Sequence, residues 1–241
     1  MKKYLIFINL LLITAVAFGQ IKIDKKLTDK VKKTATGKKK PLSNEEVVQG
    51  LKEALTVGTN NSGAAASKLD GFNGNPLIKI PFPPEAAKME STLKGMGMEK
   101  KIDEFVLNLN RAAEDAAKEA APIFVNAIKG MTIGDGFTIL KGADTAATHY
   151  LKDKTTADLK VQFKPKVVAA IEKVKVTSYW NPLITKYNKI PMVTKLNPDL
   201  EEYVTAKAIE GLFKLVAEEE IKIRKDPSAR ISDILKKVFG S

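Results

Sequence analysis

The sequence predicts an all-α protein, a single multi-helix domain of about nine helices with at most one short strand-like segment near residues 77–80. Three observations carry that expectation. After Pro84, apolar residues recur at three- and four-residue spacing through almost every stretch. Only Leu77-Ile78-Lys79-Ile80 reads like a strand, and Pro76 and Pro81 on either side limit its ladder hydrogen bonds. The 241 residues are 44% hydrophobic, enough for a buried core, and there is no cysteine to staple a smaller fold.

The first element is a leader. Met1-Lys2-Lys3-Tyr4 precedes an apolar run from Leu5 to Phe18, the layout of a secretory signal, and Ala17-Phe18-Gly19 places cleavage before Gln20. The run is shorter than the ~20 apolar residues of a membrane span, and no cysteine follows it to carry a lipid. The expectation is an exported protein, periplasmic or envelope-associated and not a lipoprotein. The second element, residues 20–41, holds most of the formal charge of +12: residues 21–40 contain nine lysines against Asp24 and Asp29. Such a block reads as a solvated tail able to make a weak contact with an anionic surface through Lys22–Lys40. The remaining 42–241 is nearly balanced, so nucleic acid is not an expected partner.

The helical domain opens at Ser43-Asn44-Glu45-Glu46, a capping-box pattern. Val47, Leu51 and Leu55 continue the stripe toward Leu69, with Asn60–Gly63 loosening it. Asp70 to Pro76 is turn-rich. Helices are then expected at Glu85–Lys94, at Lys100–Ala121 with Pro122 kinking or restarting it, and at Ile123–Ile128. Further helices follow at Thr132–Leu140, from Asp144 through Leu151, and at Thr156–Val174. Ser178–Asn188, Asp199–Lys225 and Ala229–Phe239 complete the series, with Trp180 as a packing anchor.

The absent residue types exclude much chemistry. Without cysteine there is no thiol catalysis, iron–sulfur cluster or Cys-ligated zinc, and the single His149 rules out an HExxH site. Phosphate-binding loops, a GxSxG elbow and EF-hand loops are missing, so no metal or cofactor is expected. Asp70, Asn73 and Asn75 read first as turn residues. Two places stand out. Arg111 reaches Glu114 at i+3 amid alanines, and Glu219 falls on the apolar stripe of its helix, where a carboxylate needs a partner such as Arg111, Arg224 or Arg230. Asp144, as a helix N-cap, with Thr145 and Thr148 forms a third candidate patch. Together, Arg111, Glu114, Asp144, Thr145, Thr148, Glu219, Arg224 and Arg230 form either a polar pocket or a buried ion-pair network. The leading reading is a non-catalytic binding or interaction module for a small molecule, a lipid or an envelope protein. The alternative is a metal-free, thiol-free enzyme built on Glu219 and Arg111.

Several strings resemble the signature segments of one bacterial family. They are Phe72-Asn73-Gly74-Asn75-Pro76-Leu77-Ile78-Lys79-Ile80-Pro81, Asn110-Arg111-Ala112-Ala113-Glu114, Gly142-Ala143-Asp144-Thr145-Ala146-Ala147-Thr148, and Ala217-Glu218-Glu219-Glu220 through Ile223-Arg224, Pro227 and Ala229-Arg230. The family is the domain-of-unknown-function family numbered 4197, and the resemblance spans about residues 42–240. It implies an export signal and a helical body, and no activity, ligand or cofactor. This chain departs from the family's many lipoprotein-like members in lacking the cysteine. It also carries Gly134 and Gly136 where the family has a better helix former.

Overall fold

The computed structural model describes residues 40–134 and 136–240. The expected leader, 1–19, and nearly all of the basic tail, 20–41, lie outside the described residues. The chain divides after Pro41, and the unit from Leu42 onward carries nine α-helices and no β-strand among the described residues.

Helix α1 (Asn44–Ala66) starts on the capping box: the Glu46 amide donates to the Ser43 hydroxyl at 3.2 Å, and the Ser43 amide donates to the Glu46 carboxylate at 3.1 Å. It runs unbroken through Asn60–Gly63 and ends before Leu69, which is exposed. A turn-rich segment then leads through a 3₁₀ turn (Pro84–Ala86) into α2 (Ala87–Gly95) and α3 (Glu99–Ala117). The break expected at Pro122 comes earlier, at residues 118–119, so Pro122 sits in the first turn of α4 (Ala120–Gly130), where its missing N–H costs nothing. Helix α5 is only Gly136–Leu140.

The two helices expected at 144–151 and 156–174 are one, α6 (Ala146–Lys173), with Pro165 inside it. The helix runs through the threonines at the expected gap, whose hydroxyls are satisfied inside it, Thr155 on the Leu151 carbonyl at 2.6 Å and Thr156 on the Lys152 carbonyl at 2.5 Å. Helix α7 (Val176–Asn188) follows through Lys175 in the left-handed region, and α8 (Leu200–Lys225) starts on Asp199, which accepts the Glu202 amide at 2.9 Å. The last expected helix, Ala229–Phe239, begins later, as α9 (Asp233–Phe239), after a 3₁₀ turn (Pro227–Ala229).

Helix α8 is the centre of the fold, packed along α1 and α6 and touching α3. Ala208, Ile209, Leu212, Phe213, Leu215 and Val216 are all buried, so apolar side chains face inward around most of its circumference. Phe213 meets Phe124 of α4 at 5.2 Å between ring centroids. A second aromatic group, Phe82, Phe105 and Trp180, with centroids 4.9–5.7 Å apart, pins α7 and the 70–83 segment to α3. Each such buried ring contributes about 2–3 kcal/mol by area, plus ~1 kcal/mol for ring–ring geometry.

The strand-like segment 77–80 is not a strand. Ile78 and Ile80 are buried, and Ile80 pairs with the side chain of Asn110 instead of a neighbouring strand. The segment lies against α8 at Gly211, where a Cβ would come within 3.0 Å of the Phe72 ring and 3.1 Å of Ile78 Cβ. Tyr203 ties down its far end by donating to the Pro81 carbonyl at 3.0 Å. Burial, helped by Glu85 and Glu210, pushes that phenol up to about 12, so it remains a donor across the physiological range.

Candidate functional site

Two carboxylate–arginine units organise the domain. In the first, Glu114 of α3 is buried and accepts the amides of Phe72 and Asn73 through one oxygen, both at 3.1 Å, and Arg111 through the other at 2.6 Å. Arg111 also reaches Asp70 at 2.8 Å, and Asp70 accepts from Asn73 at 3.0 Å. The hydrogen bonds from Asn73 and Arg111 hold the Asp70 carboxyl below its ordinary range. Burial works against the Arg111 charge, but the bonds to Glu114 and Asp70 outweigh it and raise its pKa. One turn earlier on the same helix, Asn110 accepts the Ile80 amide and donates to its carbonyl, each at 2.8 Å. The Asn110-Arg111-Ala112-Ala113-Glu114 string therefore works as a clamp on the backbone of residues 70–80.

The second unit is centred on Glu220, not Glu219. The Glu220 side chain is 1% exposed. It accepts the Ala147 amide at 3.1 Å, the Thr148 amide and hydroxyl at 2.7 Å each, and Arg224 Nε at 2.9 Å. Those amides are the orphan donors at the start of α6, so a carboxylate from α8 caps a helix it does not belong to. Arg224 continues the relay by donating to the Leu140 and Ile139 carbonyls at the end of α5, at 2.7 and 3.2 Å. Arg230 closes the end of α8 through the carbonyls of Ile223 and Arg224, at 2.9 Å each.

The remaining residues expected at this patch are placed differently. Asp144 is not the N-cap of α6: Thr145 holds that position without a side-chain cap, and exposed Asp144 pairs with Lys225 at 2.5 Å. Glu219 turns aside to Asn61, at 2.6 Å, and to Lys222. Arg111 and Glu219 share no partner among the described residues: Arg111 bonds Glu114 and Asp70, and Glu219 bonds Asn61 and Lys222. His149 is exposed. Among the described residues no group of His, Asp or Glu is arranged to hold a metal ion, and no helix is long and apolar enough to cross a membrane.

A cleft of about 510 Å³ lies between α4 and α6, away from both units. Asn126, Lys154, Asp158 and Gln162 line it together with Tyr150, whose hydroxyl donates to the Thr132 carbonyl at 2.6 Å. Lys154 Nζ stands 5.7 Å over the Tyr150 ring, while Asn126, Asp158 and Gln162 have no side-chain partner among the described residues. Tyr150, Lys154, Asp158 and Gln162 form a ridge at four-residue steps. The ridge bridges the two helices expected at 144–151 and 156–174, so neither of them contains it whole.

A profile of the family described as "Protein of unknown function (DUF4197)" matches residues 41–240. No curated protein and no solved structure matches the chain.

Proposed function

We propose that this chain, which belongs to the DUF4197 family, is an exported, non-catalytic binding module of the periplasm or cell envelope that holds a ligand between α4 and α6. One observation carries the non-catalytic part: both buried carboxylates spend both oxygens on backbone amides, a hydroxyl and a guanidinium. A general acid or base needs an oxygen facing a substrate. Every oxygen of Glu114 and Glu220 already accepts at least one donor of the chain, which supports reading their units as devices that hold a loop and three helix ends.

The unspent polar groups gather at the α4–α6 cleft instead. Its volume suits a small polar molecule, and Asp158 with Lys154 adds no net charge, which favours a neutral or zwitterionic ligand. The leader pattern at Met1–Gly19 supports export.

Native mass spectrometry of protein purified gently from its own host, wild type beside an Asp158→Ala/Gln162→Ala double variant, tests the reading. A reproducible added mass on the wild type, absent from the variant, is expected. An added mass retained by the variant, or none on either protein, would overturn the cleft as the ligand site.

A further inference from the structure

Between Glu172 and Asp199 the chain carries five lysines and no carboxylate. Only Lys173 finds an acidic partner, Asp115 at 2.8 Å; Lys175, Lys186, Lys189 and Lys195 make no ion pair among the described residues. Helix α7 explains how this charge is displayed. Val176, Trp180, Leu183 and Tyr187 bury one face, so Ser178, Asn181, Pro182, Thr185, Lys186 and Lys189 form the other. Those six residues line an open groove of about 440 Å³, and none of their side chains makes a hydrogen bond within the described residues.

The loop beyond α7 adds an apolar tip. Asn188 closes its neck by donating to the Leu196 carbonyl at 3.3 Å and accepting the Leu196 amide at 3.2 Å. At the apex, Met192 is held at φ 64° and is fully exposed, 104% of its reference area. A left-handed backbone is unfavourable for a long side chain, and glycine would adopt it freely. The loop thus maintains a strained turn that presents a large apolar side chain to solvent, with Lys189 and Lys195 on either side of it.

We propose that the outer face of α7 and the Lys189–Lys195 loop dock onto an anionic lipid surface. The hydroxyl- and amide-lined groove with Lys186 and Lys189 takes a lipid phosphate, and Met192 enters the headgroup–acyl boundary. The chemistry fits such a surface on three counts: unpaired ammonium groups attract anionic lipid, the groove offers neutral donors to phosphate oxygens, and an apolar tip gains only in an interface. The surface is independent of the α4–α6 cleft and of the ligand proposed there.

Vesicle co-sedimentation of protein purified from its native host tests it, using phosphatidylethanolamine vesicles with about one-third phosphatidylglycerol beside pure phosphatidylcholine vesicles. The wild type is expected to bind the anionic vesicles, and added salt to release it as screening shortens toward ~8 Å and below. Lys186→Glu/Lys189→Glu, and the milder Lys186→Gln/Lys189→Gln, are expected to weaken binding by about tenfold or more. Met192→Gly is expected to weaken vesicle binding while raising the melting temperature by about 2–4 °C, since it removes strain and tip together. Wild-type binding that survives both lysine variants would assign the contact to another part of the chain and overturn the proposal. So would capture of soluble glycerol phosphate without vesicle binding, or no binding to either vesicle.

Discussion

One carboxylate oxygen of Glu220 accepts both the amide and the hydroxyl of Thr148, each at 2.7 Å, across 72 residues of chain. Glu220→Gln is expected to cost about 3–5 kcal/mol, because it leaves Arg224 and the α6 amides without their buried anion. Glu219→Gln, which affects only Asn61 and Lys222, is expected to cost less than ~1 kcal/mol. Calorimetry on the two variants would decide the matter, and equal losses would contradict the assignment of the buried carboxylate to position 220.

Asn110→Ala removes both hydrogen bonds to Ile80 and leaves a buried amide and carbonyl unpaired. The expected loss is ~2–4 kcal/mol. Hydrogen exchange should localise it to residues 70–83, with the Ile80 amide becoming fast.

Gly50 of α1 lies under α9, where a Cβ would fall 2.6 Å from Val238 Cγ2. Alanine gains up to ~1 kcal/mol of helix propensity there, against an overpacking cost of ~1–3 kcal/mol. Gly50→Ala is therefore expected to lift α9 from α1 and leave the remaining helices in place. Limited proteolysis should then cut near residues 230–239 at lower protease concentration than in the wild type.

Asp115 joins the end of α3 to the end of α6 through Lys118 at 2.6 Å and Lys173 at 2.8 Å. These bonds, Lys118 first, hold its carboxyl below the ordinary 3.8. A depressed folded-state value stabilises the fold above the unfolded value and is lost as pH falls through the folded one. The wild type should exceed Asp115→Asn by about 1 kcal/mol at neutral pH, and the difference should shrink as pH falls below the ordinary carboxyl value of 3.8. Melting temperatures taken between pH 7 and 2 would check it.

The sequence reveals most where the signal is local. The Ser43–Glu46 capping box and the Asp199 start of α8 were legible because each helix end is fixed by residues three apart. The prolines around 77–80 limited that run to a structured loop or an edge strand, and what satisfies Ile80 is Asn110, thirty residues away. The gap expected before Thr156 is absent because the buried face continues across it, from Ala147, Thr148 and Leu151 through Thr155 to Leu159. The apolar stripe of α8 reaches Ile223 by way of 219, while Ala208, Leu212 and Val216 step by four directly to 220, so periodicity alone does not separate the two glutamates. What buries Glu220 is the start of α6, and no local pattern in α8 announces that.

The long-range caps also set an order of events in synthesis. The amides of Ala147 and Thr148 and the carbonyls of Ile139 and Leu140 leave the ribosome 72–85 residues before the side chains that satisfy them. At about 5–20 residues per second that is a wait of about 4–17 seconds. During that interval α5 and α6 have frayed, uncapped ends and no α8 to pack on. The junction of α5 and α6 therefore cannot close until α8 has been made, which makes the second half of the fold depend on residues near the end of the chain.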